Sequence, residues 1–206
     1  MITSRLKLEV INSMKNLKKL LLFFVVLFGF STVVAQKITT QAIDKPSEGK
    51  SLVYILKTGA GLLVNFRIYD KDLFLGPISS GKYLVYECEP GEHLFWAGAE
   101  NRDYVEANLE PNSVYVINAE GQMGAFVAGV NLKPLNPKEF RDKKLFYQVI
   151  KGDTKKVYEK SQDDKSENIA KAMEKYKELK SRNSNKIAVL TSDMKFENAD
   201  KPEKNK

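Results

Sequence analysis

The chain has one cysteine, one histidine and one tryptophan in 206 residues. With Cys88 alone no intramolecular disulfide can form, so in an oxidising compartment the core must stand on apolar burial. No serine sits in a strand-to-helix nucleophile elbow. Gly59-Ala60-Gly61 and the stretch Gly121 to Gly124 lack the downstream Lys-Ser/Thr of a phosphate-binding loop, and no helix follows in the right place. No aromatic-plus-basic pattern resembles a nucleic-acid motif. The longest apolar run, Leu20 to Phe30, is short of the roughly 20 residues that a spanning helix needs.

That run has a recognisable setting. From Met14 onward, Lys15, Lys18 and Lys19 form a basic start, the apolar core follows, and Ser31-Thr32 breaks it. Val33-Val34-Ala35 then offers small residues before Gln36. This is the layout of a cleavable signal peptide, so residues 1–35 are expected to be removed and the chain exported, to the periplasm or beyond. An uncleaved anchor is the alternative. No cysteine adjoins the cleavage site, which excludes lipid attachment there.

Charge changes sign along the remainder. The whole chain is formally +7, but five basic residues and one acidic residue precede Gln36, leaving 28 against 25. Residues 36–136 carry 9 basic and 12 acidic groups; the rest carries 19 and 13. The first part is mildly acidic and the tail is basic. Interspersed Lys and Glu read first as a solvated helical face, and second as a surface for anionic lipid or polysaccharide.

Residues 36–50 read as a linker. SLVYILK (Ser51–Lys57) is apolar at nearly every position, and Leu62 to Asp70 alternates, with Leu62, Val64, Phe66 and Ile68 inward. Arg102 to Glu110 puts Val105, Ala107 and Leu109 on one face. Ser113 to Ala119 and a glycine-spaced run to Leu132 follow. About seven short strands with turn residues between them predict a mainly β fold, an antiparallel β-sandwich over 51–135. Asn136-Pro137-Lys138-Glu139 reads as a helix start, with Asn136 as cap, Pro137 at the first helical position and Glu139 reaching back. A helical extension is expected over 136–182. Its second helix carries an apolar stripe of Ile169, Met173, Tyr176 and Leu179. Residues 183–206 are expected to be a flexible tail, with Lys186 to Leu190 a short apolar run of uncertain type and Asn198 to Lys206 disordered.

The stretch Gly81 to Trp96 centres on Pro90-Gly91, the chemistry of a tight turn. Read as a two-residue hairpin, it sets Cys88 opposite His93, Tyr86 opposite Phe95 and Leu84 opposite Ala97. Both faces of that hairpin are largely apolar, so the C-terminal helices are the available cover for the second face. The register also puts the only thiol beside the only imidazole, a nucleophile–base pair or two metal ligands in principle. Spacing enforces no third ligand type, a structural zinc takes four, and no Asp or Asn is placed to orient the ring. The expected role is a small buried thiol packed beside a hydrogen-bonded histidine. Glu87, Glu89 and Glu92 read as solvated turn charges. No catalytic, cofactor-binding or metal-binding residue is therefore assigned.

The pieces SLVYILK, Gly81-Lys82-Tyr83-Leu84-Val85, Glu89-Pro90-Gly91-Glu92-His93 and Pro111-Asn112-Ser113-Val114-Tyr115-Val116, with a closing glycine-containing strand, carry a resemblance. Residues 51–134 resemble a family of exported bacterial domains of unknown function. It belongs to the prealbumin-like β-sandwich group, near carboxypeptidase regulatory-like and PEGA-type domains. The resemblance implies a β-sandwich without catalytic residues; the helical tail departs from it. The expected function is a non-catalytic module that meets a protein or glycan of the cell envelope, with no cofactor and no nucleic acid. The alternatives are an envelope tether through the basic tail and a Cys/His-dependent hydrolase or metal site.

Overall fold

The computed structural model describes residues 42–59, 64–123, 128–159 and 166–203. The expected signal segment, the turn at Gly61, the bend at Gly124 and the start of the second helix at Asp163 lie outside them. Eight strands come first: β1 (Ser51–Gly59), β2 (Phe66–Asp70), β3 (Leu73–Ile78), β4 (Lys82–Cys88), β5 (Gly91–Gly98), β6 (Arg102–Leu109), β7 (Ser113–Met123) and β8 (Ala128–Pro134). Helix α1 (Phe140–Gly152), β9 (Thr154–Val157), helix α2 (Ser166–Ser181) and β10 (Ile187–Leu190) complete the order.

The strands form two five-stranded sheets, β8-β7-β1-β4-β9 and β10-β6-β5-β2-β3. Their facing sides share one core, which includes Val53, Ile55, Phe66, Ile68, Phe95, Val105 and Ile117. Period-two alternation sends the other residues of the same strands outward, and there the helices cover them. Leu52, Tyr54, Leu56 and Val116 of the first sheet meet Phe146 and Val149 of α1 and Phe196 of the C-terminal segment. Tyr69, Leu94, Trp96 and Tyr104 of the second sheet meet Ala172 of α2, with Ile169, Met173, Tyr176 and Leu179 packed alongside. Ser51 to Lys57 is buried throughout because β1 is covered on both faces. Trp96 lies flat on Tyr69, rings 3.8 Å apart and 3° from parallel, while its Nε1–H donates to the Lys71 carbonyl at 2.8 Å. Both the apolar body and the polar tip of the indole are therefore satisfied.

Four expectations are corrected. The strands number ten among the described residues, not about seven, and three of the pairings are parallel: β1 with β7, β4 with β9 and β6 with β10. Parallel partners need crossover connections, and α1 and α2 precede the strands that make two of them. Residues 136–182 are therefore not a helical appendage, since they contribute β9. Nor are residues 183–203 a flexible tail. They supply β10, the fully buried Leu190, and the buried Phe196 and Ala199, and the Phe196 N–H donates to Val114 O at 2.8 Å.

The fourth concerns Pro90-Gly91. The corner is there, with Gly91 at φ 111°, but it joins β4 in one sheet to β5 in the other. Cys88 pairs with Ser51, Tyr86 with Val53 and Leu84 with Ile55. His93 pairs with Ala107, Phe95 with Val105 and Ala97 with Asp103. The physical reason is burial. In one sheet, Leu84 and Tyr86 would lie on the same side as Phe95 and Ala97; on opposite sheets they face one another and all are covered. Tyr86 and Phe95 accordingly meet edge to face, centroids 6.4 Å apart.

The start of α1 also lies later than its cap signal. Asn136 Oδ1 accepts from Lys138 N at 2.9 Å in a preceding turn, and Asp142, not Glu139, reaches back to Asn136 N at 3.0 Å. Side chains close the free edge of β8: Val130 N donates to Asn101 Oδ1 and Leu132 N to Asp103 Oδ2, at 2.7 and 2.6 Å. Such capping leaves fewer backbone groups open to another chain.

Candidate functional site

Cys88 and His93 do come together, for a reason other than the hairpin register. Cys88 ends β4, His93 is the third residue of β5, and the Pro-Gly corner between them holds the ends of both sheets close. Asp70, last residue of β2, joins them because it continues the inward face of Phe66 and Ile68. Its Oδ2 takes the His93 Nδ1–H at 2.6 Å and the Tyr86 hydroxyl at 3.3 Å. His93 Nε2 lies 2.8 Å from the Glu89 carbonyl, which can only accept, so Nε2 carries a proton. The His93 and Asp70 side chains are 12% and 7% exposed.

Burial alone would lower the His93 pKa. The bond to Asp70 and the nearby Cys88 thiol overcome it and carry the ring up to about 10. At neutral pH His93 is thus an imidazolium that donates from both nitrogens, with no lone pair left to act as a base. Cys88 is buried, and its thiol donates to the Ser51 carbonyl at 3.8 Å. Burial also raises the Tyr86 hydroxyl well above its ordinary range. Asp70 Oδ1 is buried without a hydrogen-bond partner among the described residues. The expectation that no Asp orients the imidazole is corrected by Asp70. A signal for it existed, since a carboxylate continuing the inward Phe66, Ile68 face is conspicuous on a core strand.

Beside this cluster opens a cleft of about 780 Å³ between α2, the outer face of β5 and β6, and the chain from Val189 to Ser192. Leu94, Met173 and Val189 give it an apolar lining; Asn108, Thr191 and Lys177 supply polar groups. Glu106 is tied down at its wall. It accepts from the Lys180 ammonium and from the Tyr176 hydroxyl, the latter at 2.6 Å. Those two donors hold its carboxyl below the usual range, while burial and Glu106 push Tyr176 up to about 12. Val189 is 54% exposed, one of the few large apolar side chains left in solvent among the described residues. Sequence reasoning missed the cleft because three elements distant in the chain build it.

Glu87 and Glu89 are engaged rather than merely solvated. Glu87 accepts from Ser47 N at 2.7 Å, and Glu89 pairs with Lys50. Glu92 lines the cleft. A second buried cation, Lys57, donates to Ser80 Oγ at 2.8 Å and lies 4.7 Å from the Phe66 ring centroid; burial lowers its pKa. Among the described residues no group of three or more His, Cys, Asp and Glu is arranged to hold a metal ion, and no helix is long and apolar enough to cross a membrane. Searches of family models, curated proteins and solved structures returned no match to this chain.

Proposed function

We propose that the protein is a non-catalytic, exported binding module, periplasmic or secreted, that takes a protein or glycan of the cell envelope in the cleft beside α2. The observation that carries this reading is the disposition of its surfaces. The chain's own helices cover the outer faces of both sheets, and the α2–β10 cleft is left as an apolar-lined concavity with a few convergent polar groups. The locked imidazolium supports the non-catalytic half, since His93 has both nitrogens engaged and Cys88 is buried. This reading keeps the prealbumin-like resemblance as the proposed ancestry of residues 51–134, and it involves no cofactor and no nucleic acid.

Val189→Arg tests it. The side chain is exposed, so the substitution should leave the melting temperature unchanged while blocking the cleft. Envelope proteins and glycans captured by the wild-type chain should be lost with Val189→Arg and retained with Cys88→Ala. Retention by Val189→Arg would move the binding site elsewhere. Loss of a measured turnover with Cys88→Ala would restore the hydrolase alternative.

A further inference from the structure

We infer that the outward face of α1 is a docking surface for an anionic lipid bilayer. The helix turns its buried residues, Asp142, Phe146 and Val149, toward the first sheet. At 100° per residue the opposite arc carries Phe140, Arg141, Lys143, Lys144, Tyr147 and Lys151. Phe140, Lys144, Tyr147 and Lys151 recur at spacings of four, three and four, so aromatic rings and ammonium groups share one stripe. Phe140 is 36% exposed, and the Lys151 ammonium lies 5.8 Å from the Tyr147 ring centroid.

No carboxylate within the helix offsets the charge on this face. The one carboxylate within the helix, Asp142, points inward, where it binds Lys133 Nζ and Asn136 N. Arg141, Lys143 and Lys144 make no ion pair among the described residues. Helix α2 is built differently: Lys171 pairs with Glu167, Lys175 and Arg182 with Glu178, and Lys180 with Glu106. Three of the four lysines of α2 are thus paired with carboxylates, whereas α1, with a single carboxylate, presents Arg141, Lys143 and Lys144 to solvent. A groove of about 620 Å³ runs along Phe140, Lys144 and Tyr147 against residues 201–203, with Glu203 the carboxylate on its rim.

The aromatic rings select the occupant. A soluble polyanion would satisfy the lysines and leave Phe140 in water. A bilayer offers anionic headgroups at the depth of the ammonium groups and an apolar layer just beneath for the rings. Each basic residue at such a surface strengthens binding about fivefold. The cations act over roughly a Debye length, so the attachment is salt-sensitive.

The test uses the full chain and sedimentation with two kinds of vesicle, phosphatidylcholine alone and phosphatidylcholine with about 30 mol % phosphatidylglycerol. The apolar stretch Leu20 to Phe30 is common to every variant, so the readout is the difference between vesicles and between variants. Binding should be stronger on the anionic vesicles and should fall as salt rises. The double variant Lys143→Gln, Lys144→Gln should lose more than tenfold on anionic vesicles. The ion-paired control Lys171→Gln, Lys175→Gln should lose less than twofold. Phe140→Ala should weaken vesicle binding severalfold while leaving binding to soluble dextran sulfate unchanged. Unaltered melting curves will establish that each variant is folded. Equal binding to both vesicles, an equal loss with the α2 control, or no effect of Phe140→Ala on vesicle binding would each overturn the inference.

Discussion

Asp70→Asn removes the charge that holds His93 protonated, and its consequence can be worked through. In the folded chain the His93 pKa stands at about 10 against an ordinary 6.5, so the imidazolium is favoured by folding. A group raised in this way contributes stability that is fully present below pH 6.5 and is lost as the pH rises toward 10. Its upper size is roughly 3–5 kcal/mol, which is also the usual cost of removing one partner from a buried ion pair. The wild-type chain should therefore lose stability steadily between pH 6.5 and 9, below the range where the buried tyrosines ionise. With asparagine at position 70, burial dominates and the ring becomes neutral at pH 7. The variant should be about 3 kcal/mol less stable at pH 6 and nearly flat with pH across the same window. Because His93 is the only histidine, one ring signal in a heteronuclear NMR titration reports its pKa without assignment. A wild-type ring that titrates near 6.5 in the folded chain, or a pH slope that survives Asp70→Asn, would refute the reasoning.

Two further outcomes follow from the packing. Phe196→Ala removes a ring that is 4% exposed and meets Phe146 edge-on at 5.1 Å, so chemical denaturation should register a loss of about 3–5 kcal/mol. A loss below about 1 kcal/mol would mean that the C-terminal segment is not part of the core. Gly59→Ala places a Cβ 2.6 Å from the Gly121 carbonyl oxygen at a φ of +80°, and should cost about 2–4 kcal/mol by the same measurement. A neutral Gly59→Ala would show that β1 and β7 can part at this point.

The division of labour between chain and fold is clearest around the corner at Pro90-Gly91. Alternation along Tyr83 to Cys88 and along His93 to Ala97 assigns each residue to a face, and those assignments stand: Leu84, Tyr86, Cys88, Phe95 and Ala97 are all inside. Side-chain parity is a local property of an extended backbone. The partner across the hydrogen bonds is not local. A tight turn is compatible with one sheet or with two, and the choice went to the arrangement that buries both apolar sets against each other.

The same contrast holds for the C-terminal third. The stripe of Ile169, Met173, Tyr176 and Leu179 was legible as a 3.6-residue period, and an apolar second face on the strands called for a cover. Ile187 to Leu190 was too short for its period to distinguish strand from helix, and its identity depends on Tyr104 to Ala107 lying alongside. Asp70 ends the alternating run, but its role as partner to His93 required β2 and β5 to be neighbours. The sequence by itself determined which way the residues of each central strand face, because alternation acts within a few residues. Only the tertiary structure decided the pairing of strands, the α2 cleft and the Asp70–His93 lock, because each joins residues whose nearness costs chain entropy that only the completed core repays.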